Sequence, residues 1–177
     1  MKKITSILSI MAFTAVFSTS ALAQQSSTAT STASTTIVAP IAITKVIDMS
    51  FGSFATGSAG TLVLSPVGGR TITGGVKLTA TTGNVAAAKF KVTGEGNYAY
   101  TVDIPSAHTL TTASTATGAV NTMVVDTFTY SLGDTRIGTL ASGLSEFTIG
   151  ATLNVKANQL VGTYSNVEGF NVTVNYN

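Results

Sequence analysis

The sequence predicts an all-β protein. Short segments in which apolar and polar residues alternate recur along the chain, and glycine-rich turns separate them. No segment after the first 23 residues has the period of an amphipathic helix, and the 17 glycines and many β-branched residues disfavour one. Many short strands with regular turns are typical of an antiparallel immunoglobulin-like Greek-key β-sandwich, with a small closed barrel as the alternative.

Residues 1–23 have the three parts of a bacterial-type secretory signal peptide. Lys2 and Lys3 form the charged start, an apolar run follows from Ile7 to Phe17, and Ala21-Leu22-Ala23 supplies the small-residue exit. The apolar run is shorter than the ~20 residues that a membrane-spanning helix needs, which favours cleavage over a retained anchor. We therefore expect export to the periplasm, the cell surface or the extracellular medium, without membrane insertion after cleavage.

The charge balance argues against a nucleic-acid partner. Of the nine basic residues, Lys2 and Lys3 leave with the signal peptide, and the seven that remain equal the seven acidic residues in number. The basic isoelectric point therefore comes largely from the signal peptide. The chain has no cysteine, so we expect its stability to rest on the hydrophobic core.

The mature chain divides into a leader and one domain. Residues 24–36 are almost entirely Gln, Ser, Thr and Ala, which offer no large apolar group to bury, so we predict a flexible leader. Residues 37–177, about 140 in number, are enough for a single β-sandwich domain with its own core.

The first strand of this domain is expected to begin at Ile37. Ile37, Ile41 and Ile43 share one parity, and Pro40 between them is best tolerated in an edge strand. Glycines then separate short apolar segments. These segments predict strands around residues 62–64 and 76–78, joined by glycine turns.

The clearest strand pair is predicted in the middle of the chain. Apolar and polar residues alternate from 88 to 93, the turn 94–97 follows, and alternation resumes from 98 to 104. This pattern predicts a β-hairpin. Tyr98 and Tyr100 share the apolar face of its second strand, so core packing is favoured for them over stacking on a sugar.

A Thr- and Ser-rich stretch from 106 to 121 is predicted to be a surface excursion. It carries the only histidine, His108. Strands are expected again at 123–132, with a turn after it, and at 147–155.

The last eight residues show the strictest alternation. Phe170, Val172, Val174 and Tyr176 lie on one side of an extended chain, with Asn and Thr on the other. We predict a C-terminal strand over 170–177, which either pairs inside its own sheet or is free to pair with another molecule. Tyr164, just before it, is expected to hydrogen-bond back to the backbone.

Side chains suited to catalysis are sparse. His108 has no Cys or acidic residue near it in the sequence, and no nucleophile elbow, phosphate loop or metal-ligand motif occurs. Asp126, Asp134 and Glu146 are isolated, which favours solvated surface charge over a calcium site. We therefore expect a non-enzymatic protein with no catalytic residue, no cofactor and no metal.

Several motifs carry a resemblance to a known family. They are Ile43-Thr44-Lys45 before Met49-Ser50-Phe51-Gly52, Phe90 to Gly94, Tyr100 to Pro105, Ile149 to Val155, and Gly162-Thr163-Tyr164 before Val172 to Tyr176. With these motifs the chain resembles small secreted bacterial proteins that are grouped as a domain of unknown function and are similar to fimbrial and spore-coat-type pilus subunits. The resemblance implies an immunoglobulin-like sandwich with a structural or adhesive role.

The resemblance also implies a mode of assembly. Pilus subunits handled by a chaperone and an usher end in an alternating strand with a penultimate aromatic, which Tyr176 matches, and carry an N-terminal extension that completes the neighbouring subunit. The matching extension here is residues 29–43. The candidate strand-pairing and assembly residues are Ile37, Ile41, Ile43, Phe170, Val172, Val174 and Tyr176. The expected partners are other copies or other surface subunits, together with a periplasmic chaperone.

Two functions follow from these observations. The first is a non-enzymatic exported structural or adhesive surface protein, similar to a fimbrial subunit. The alternative is a secreted, self-contained β-sandwich module that binds a glycan or a protein, with residues 106–121 as a contact surface.

Overall fold

The computed structural model describes residues 26–113, 120–166 and 168–177. Contacts divide the chain into two units, residues 1–36 and residues 37–177. The described part of the first unit, residues 26–36, forms no strand or helix and is exposed throughout. The predicted signal peptide lies outside the described residues, and so does part of the predicted excursion, residues 114–119.

The second unit is built from β-strands. In the described ranges we find no helix, and so none with the length and apolarity to cross a membrane. The all-β prediction is confirmed, and neighbouring strands pair antiparallel. The strands are β1 (Ala42–Ile47), β2 (Ser50–Phe51), β3 (Phe54–Leu64), β4 (Arg70–Leu78), β5 (Val85–Ala86), β6 (Ala88–Thr93), β7 (Ala99–Asp103), β8 (Ala107–Thr111), β9 (Thr122–Tyr130), β10 (Ile137–Thr139), β11 (Leu144–Val155) and β12 (Thr173–Tyr176).

The largest sheet is organised around β11. The first half of β11 pairs with β6, and its second half pairs with β3. Ile149 of β11 faces both Ala88 of β6 and Tyr130 of β9, so β6 and β9 lie on opposite edges of β11. Leu153 lies in the same way between β3 and β9. Strands β6 and β3 therefore follow one another along a single edge, and the sheet, flanked by β1, β4 and β8, curls into a half barrel.

Two hydrophobic clusters form the core. The first lies on the half of the large sheet that contains β3, β4, β9 and the second half of β11, and it includes Leu62, Leu64, Val76, Met123, Val125 and Leu153. The second lies between β6, the first half of β11 and a three-stranded sheet of order β10-β7-β12. Its members include Phe90, Val92, Tyr100, Val102, Leu140, Phe147, Ile149 and Val174. Strands β2 and β5 form a small separate pair.

The hairpin predicted in the middle of the chain is wrong in its pairing. The two strands and their turn occur close to where they were expected, as β6 and β7. However, β6 pairs with β1 and β11, whereas β7 pairs with β10 and β12, so this connection passes from one sheet to another. Local alternation determines which side chains face the core, but the strand that lies alongside is selected by non-local contacts.

Two further predictions differ from the structure. Residues 107–111 of the predicted surface excursion form β8, which pairs along β9. The glycine-rich stretch forms one long hairpin of β3 and β4, in which Gly60 and Gly74 pair with each other inside the strands. A Cβ atom at Gly60 would overlap the Thr73 carbonyl oxygen, so glycine here permits a close approach of two backbones and does not make a turn.

The first and last predicted strands are shorter than expected. Strand β1 begins at Ala42, and Ile37 is 93% exposed. Strand β12 begins at Thr173, so Phe170 and Val172 precede it. The alternation of burial nevertheless continues from residue 170 to residue 177, with Val174 as its most buried member.

Candidate strand-binding groove

A large cavity adjoins both core clusters, and we call it the groove. Its volume is about 1050 Å³. Its floor is apolar and includes Phe51, Phe90, Leu110, Met123, Val125 and Leu153. Lys45, Glu168 and Asn171 stand at its rim and are exposed, so the groove is open to solvent. Apart from the half-buried Leu110, the floor side chains are themselves almost fully buried, from 2% exposure at Leu153 to 8% at Phe51. The size of the groove and its opening to solvent make it the leading candidate for a functional site.

Strand β1 forms one wall of the groove. Ile43 and Ile47 line it, and Ile47 is 43% exposed. Within the described part of the chain, β1 forms a ladder with β6 alone, which leaves the backbone N–H and C=O groups of its other edge without strand partners. An unpaired strand edge beside an apolar floor can accept an added strand by main-chain hydrogen bonding.

The other wall consists of residues 159–166 and 168–172, which contain no regular strand. The side-chain amide of Gln159 anchors its start, donating to the Val120 carbonyl at 2.9 Å and to the Tyr164 hydroxyl at 2.8 Å. The Tyr164 hydroxyl in turn donates to the Leu160 carbonyl at 2.9 Å, as the sequence predicted for a tyrosine before the last strand. Backbone hydrogen bonds join the same start to Val120, whose carbonyl accepts the Leu160 N–H at 3.0 Å, so an isolated bridge and side chains fix this wall in place of a regular ladder.

One end of β1 is fastened by a cluster that we call the clamp, formed by Ala39, Glu95 and Tyr176. The Ala39 N–H donates to the Glu95 carboxylate at 2.9 Å, and the Tyr176 hydroxyl donates to the Ala39 carbonyl at 2.8 Å. The same hydroxyl accepts the Glu95 N–H at 2.6 Å. A Cβ at Gly94 would overlap the Tyr176 hydroxyl, so glycine at this position gives the ring access to the clamp.

The predicted assembly residues fall into three places. Ile43, Phe170 and Val172 line the groove. Ile41 and Tyr176 pack against the second core cluster, of which Val174 is a buried member. Ile37 precedes β1 and is exposed. The structure thus brings three of the seven residues together at the groove, from opposite ends of the chain.

Sequence reasoning missed two residues of the floor. Leu110 lies in a stretch of Thr and Ser, and Phe51 follows a Ser in a two-residue strand. Their only sequence signal is a large apolar side chain in a polar setting, which does not reveal the surface it joins. Gln159, with 9% exposure, is the buried polar residue of the described core, and it had no sequence signal at all.

The titratable side chains that line the groove are Lys45, Asp48, His108, Tyr164 and Glu168. In the described ranges no cluster of three or more His, Cys, Asp or Glu side chains has the geometry to hold a metal ion. His108 lines the groove with its Nε2 2.5 Å from the Asn166 side-chain nitrogen and its ring edge-on to Phe170. Within the second cluster, burial raises the pKa of Tyr100, and the hydrogen bond from its hydroxyl to Ser145 at 2.9 Å lowers it in part.

These features define a class of protein: an all-β domain with an open apolar groove beside an unpaired strand edge. The chain belongs to the family described as a domain of unknown function, DUF4402, whose model matches residues 41–176. The match covers nearly all of the second unit. No curated protein and no solved structure matches the chain.

Proposed function

We propose that this protein is a non-enzymatic, exported structural or adhesive surface protein similar to a fimbrial subunit, and that it self-associates through the groove. The observation that carries the proposal is the solvent-open groove of about 1050 Å³ beside the unpaired edge of β1. The occupant is the leader, residues 26–38, of a second copy of the chain.

The leader has the properties of an added strand. Residues 26–36 are exposed and form no strand of their own. At about 3.3 Å per residue, an extended segment over 26–38 spans about 43 Å, whereas the six residues of β1 span about 20 Å. The leader is therefore long enough to run along the whole edge of β1.

The side chains of the leader limit how it binds. Most are Ala, Ser and Thr, and only Ile37 and Val38 offer large apolar groups. Affinity would therefore come mainly from main-chain hydrogen bonds to the β1 edge, with Ile37 as the anchor on the apolar floor.

Light scattering with size exclusion tests this proposal on purified chain 24–177. We expect a concentration-dependent ladder of oligomers, and we expect a chain that lacks residues 26–38 to be a monomer that binds the corresponding synthetic peptide. A single monomeric species at every concentration, with no peptide binding, would overturn the proposal.

A matched pair of variants places the contact in the groove. Leu110→Lys puts a charge on the floor, and Thr109→Lys puts the same charge one residue away on the exposed face of β8. We expect the first to abolish oligomers while the second leaves them unchanged. Equal oligomer ladders in both variants would contradict the groove as the contact.

The proposal also covers the topology of the fold and the cellular location of the protein. We infer an immunoglobulin-like Greek-key sandwich, supported by the passage of the chain from β6 in one sheet to β7 in another. Export through the predicted signal peptide and handling by a periplasmic chaperone belong to the same proposal, because an open apolar groove needs protection before assembly.

The alternative is a self-contained binding module for a glycan or a protein. It is favoured by the clamp and by the core contacts of Ile41, which close the domain around β1 without a second copy. A monomer in the light-scattering experiment that also unfolds cooperatively in a thermal melt would favour this function.

A further inference from the structure

A second, smaller cleft lies at the beginning of β8 and shares no lining residue with the groove. Its volume is about 350 Å³, within the range of pockets that take small molecules. It is bounded by the segment after β7, by the end of β9 and by the turn that follows β9. The predicted surface excursion begins at this cleft.

One wall of the cleft is apolar. Ile104, Phe128 and Tyr130 are partly buried there, beside the exposed Pro105. The guanidinium carbon of Arg136 lies 5.6 Å from the centre of the Tyr130 ring. This cation–π contact holds the guanidinium at the mouth of the cleft.

The rest of the lining is polar, and part of it is already engaged: the Thr127 hydroxyl donates to the Asp126 carboxylate at 3.1 Å, and the Arg136 guanidinium contacts Tyr130. The ion pairs of the described residues are Lys45 with Asp48 and Lys89 with Glu146, so neither Asp134 nor Arg136 belongs to one. Hydroxyl groups of Ser106 and Thr127 complete the lining. Donors and acceptors that can serve a ligand therefore stand around an apolar wall.

Backbone strain coincides with this cleft. Thr127 has φ 48° and Arg136 has φ 56°, and both line it. Positive φ is a real outlier for a β-branched residue such as Thr127. Thr127 lies opposite the register shift between Gly150 and Thr152, where β9 leaves regular pairing with β11. Strain of this kind collects at binding sites, where it positions a side chain that regular structure would direct elsewhere.

We propose that this cleft binds one unit of a neutral saccharide. A sugar ring has an apolar C–H face, which fits the wall, and a rim of hydroxyls that both donate and accept. Arg136 donates to such hydroxyls, Asp134 accepts from them and Ser106 does both, while the Thr127 hydroxyl, whose proton goes to Asp126, accepts. Asp134 in the lining and Asp103 near Tyr130 offset the charge of Arg136, which disfavours an anionic ligand.

Saturation-transfer NMR on the full chain tests this inference. The probes are the methyl glycosides of glucose, galactose, mannose and N-acetylglucosamine, with glucuronate and leucine as charged comparisons. We expect transfer to at least one neutral glycoside. We expect Asp134→Ala and Arg136→Ala each to weaken its affinity at least tenfold, while Lys91→Ala, on an exposed position of β6, leaves the affinity unchanged.

Three outcomes would overturn the inference: no transfer to any neutral glycoside, transfer only to glucuronate or leucine, or equal affinity in the two cleft variants and the parent. Circular dichroism melts of both variants establish that they are folded. Because the cleft and the groove share no lining residue, these variants should leave oligomer formation unchanged, so failure here does not bear on self-association.

Discussion

At the scale of single residues, the hydroxyl of Tyr176 connects parts of the chain that are far apart in sequence. It accepts from the Glu95 N–H and donates to the Ala39 carbonyl, so it joins the start, the middle and the end of the domain. The sequence identified Tyr176 as a penultimate aromatic that matches pilus subunits. In the structure the residue serves the fold of its own chain.

Tyr176→Phe tests this role. The change leaves the ring in place but removes an acceptor and a donor, so we expect a loss of about 1–3 kcal/mol in the free energy of unfolding. Urea denaturation gives the measurement. Tyr98→Phe is the control, since that ring lies edge-on to Tyr176 with a centroid distance of 5.6 Å and is 42% exposed. Equal small losses in both variants would show that the clamp contributes little.

At the scale of elements, the sequence predicted burial well in most strands and pairing poorly. One burial prediction is wrong: Tyr98, which was expected in the core, is 42% exposed. Ala88, Phe90 and Val92 are buried as their alternation indicated, because the two-residue period of a strand is a local property. The partner of a strand is not local. The turn after Thr93 therefore resembles a hairpin in sequence, although it links two sheets.

The candidate sites follow the same rule. Ile43 and Val172, one in each wall of the groove, could be predicted because both lie in alternating segments. The small cleft could not, because Asp134 and Arg136 occur in an ordinary turn sequence and acquire their setting only when β9 departs from regular pairing.

Strand β11 changes its pairing partner from β6 to β3 at Gly150, and glycine is needed there for the backbones to approach. A Cβ atom there would overlap the Leu64 carbonyl and press on the start of the turn after β3. We expect Gly150→Ala to lower the free energy of unfolding by about 1–3 kcal/mol through overpacking. Gly57→Ala is the control for a denaturation series, since nothing lies within 4 Å of its Cβ. A Gly150→Ala variant as stable as the control would contradict the close approach.

At the scale of the whole molecule, the pH dependence of stability reflects buried tyrosines. Burial raises the pKa of Tyr100 and of Tyr130, with partial offsets from Ser145 and Arg136 respectively. The folded domain therefore keeps phenolic protons that the unfolded chain releases near pH 10. Their contribution to stability is present below about pH 10 and is lost as the pH rises through the raised pKa values of the folded state.

Denaturation midpoints between about pH 8 and about pH 11.5 test this expectation. We expect the parent to lose stability steeply above about pH 10, and Tyr100→Phe to lose less over the same interval. Tyr98→Phe, at an exposed position, should follow the parent. Parallel curves for all three proteins would contradict the role of burial.

The clamp also bears on when the domain can fold during synthesis. The hydrogen bond from Tyr176 to Ala39 joins residues 137 positions apart, and β12, which carries Tyr176, pairs with β7 to complete the second sheet. Closing so long a loop is slow, and a chain emerging from its N-terminus cannot close it before Tyr176 has been synthesised. Until then, β12 is missing from the second sheet and the segment before β1 lacks its hydrogen bond to Tyr176.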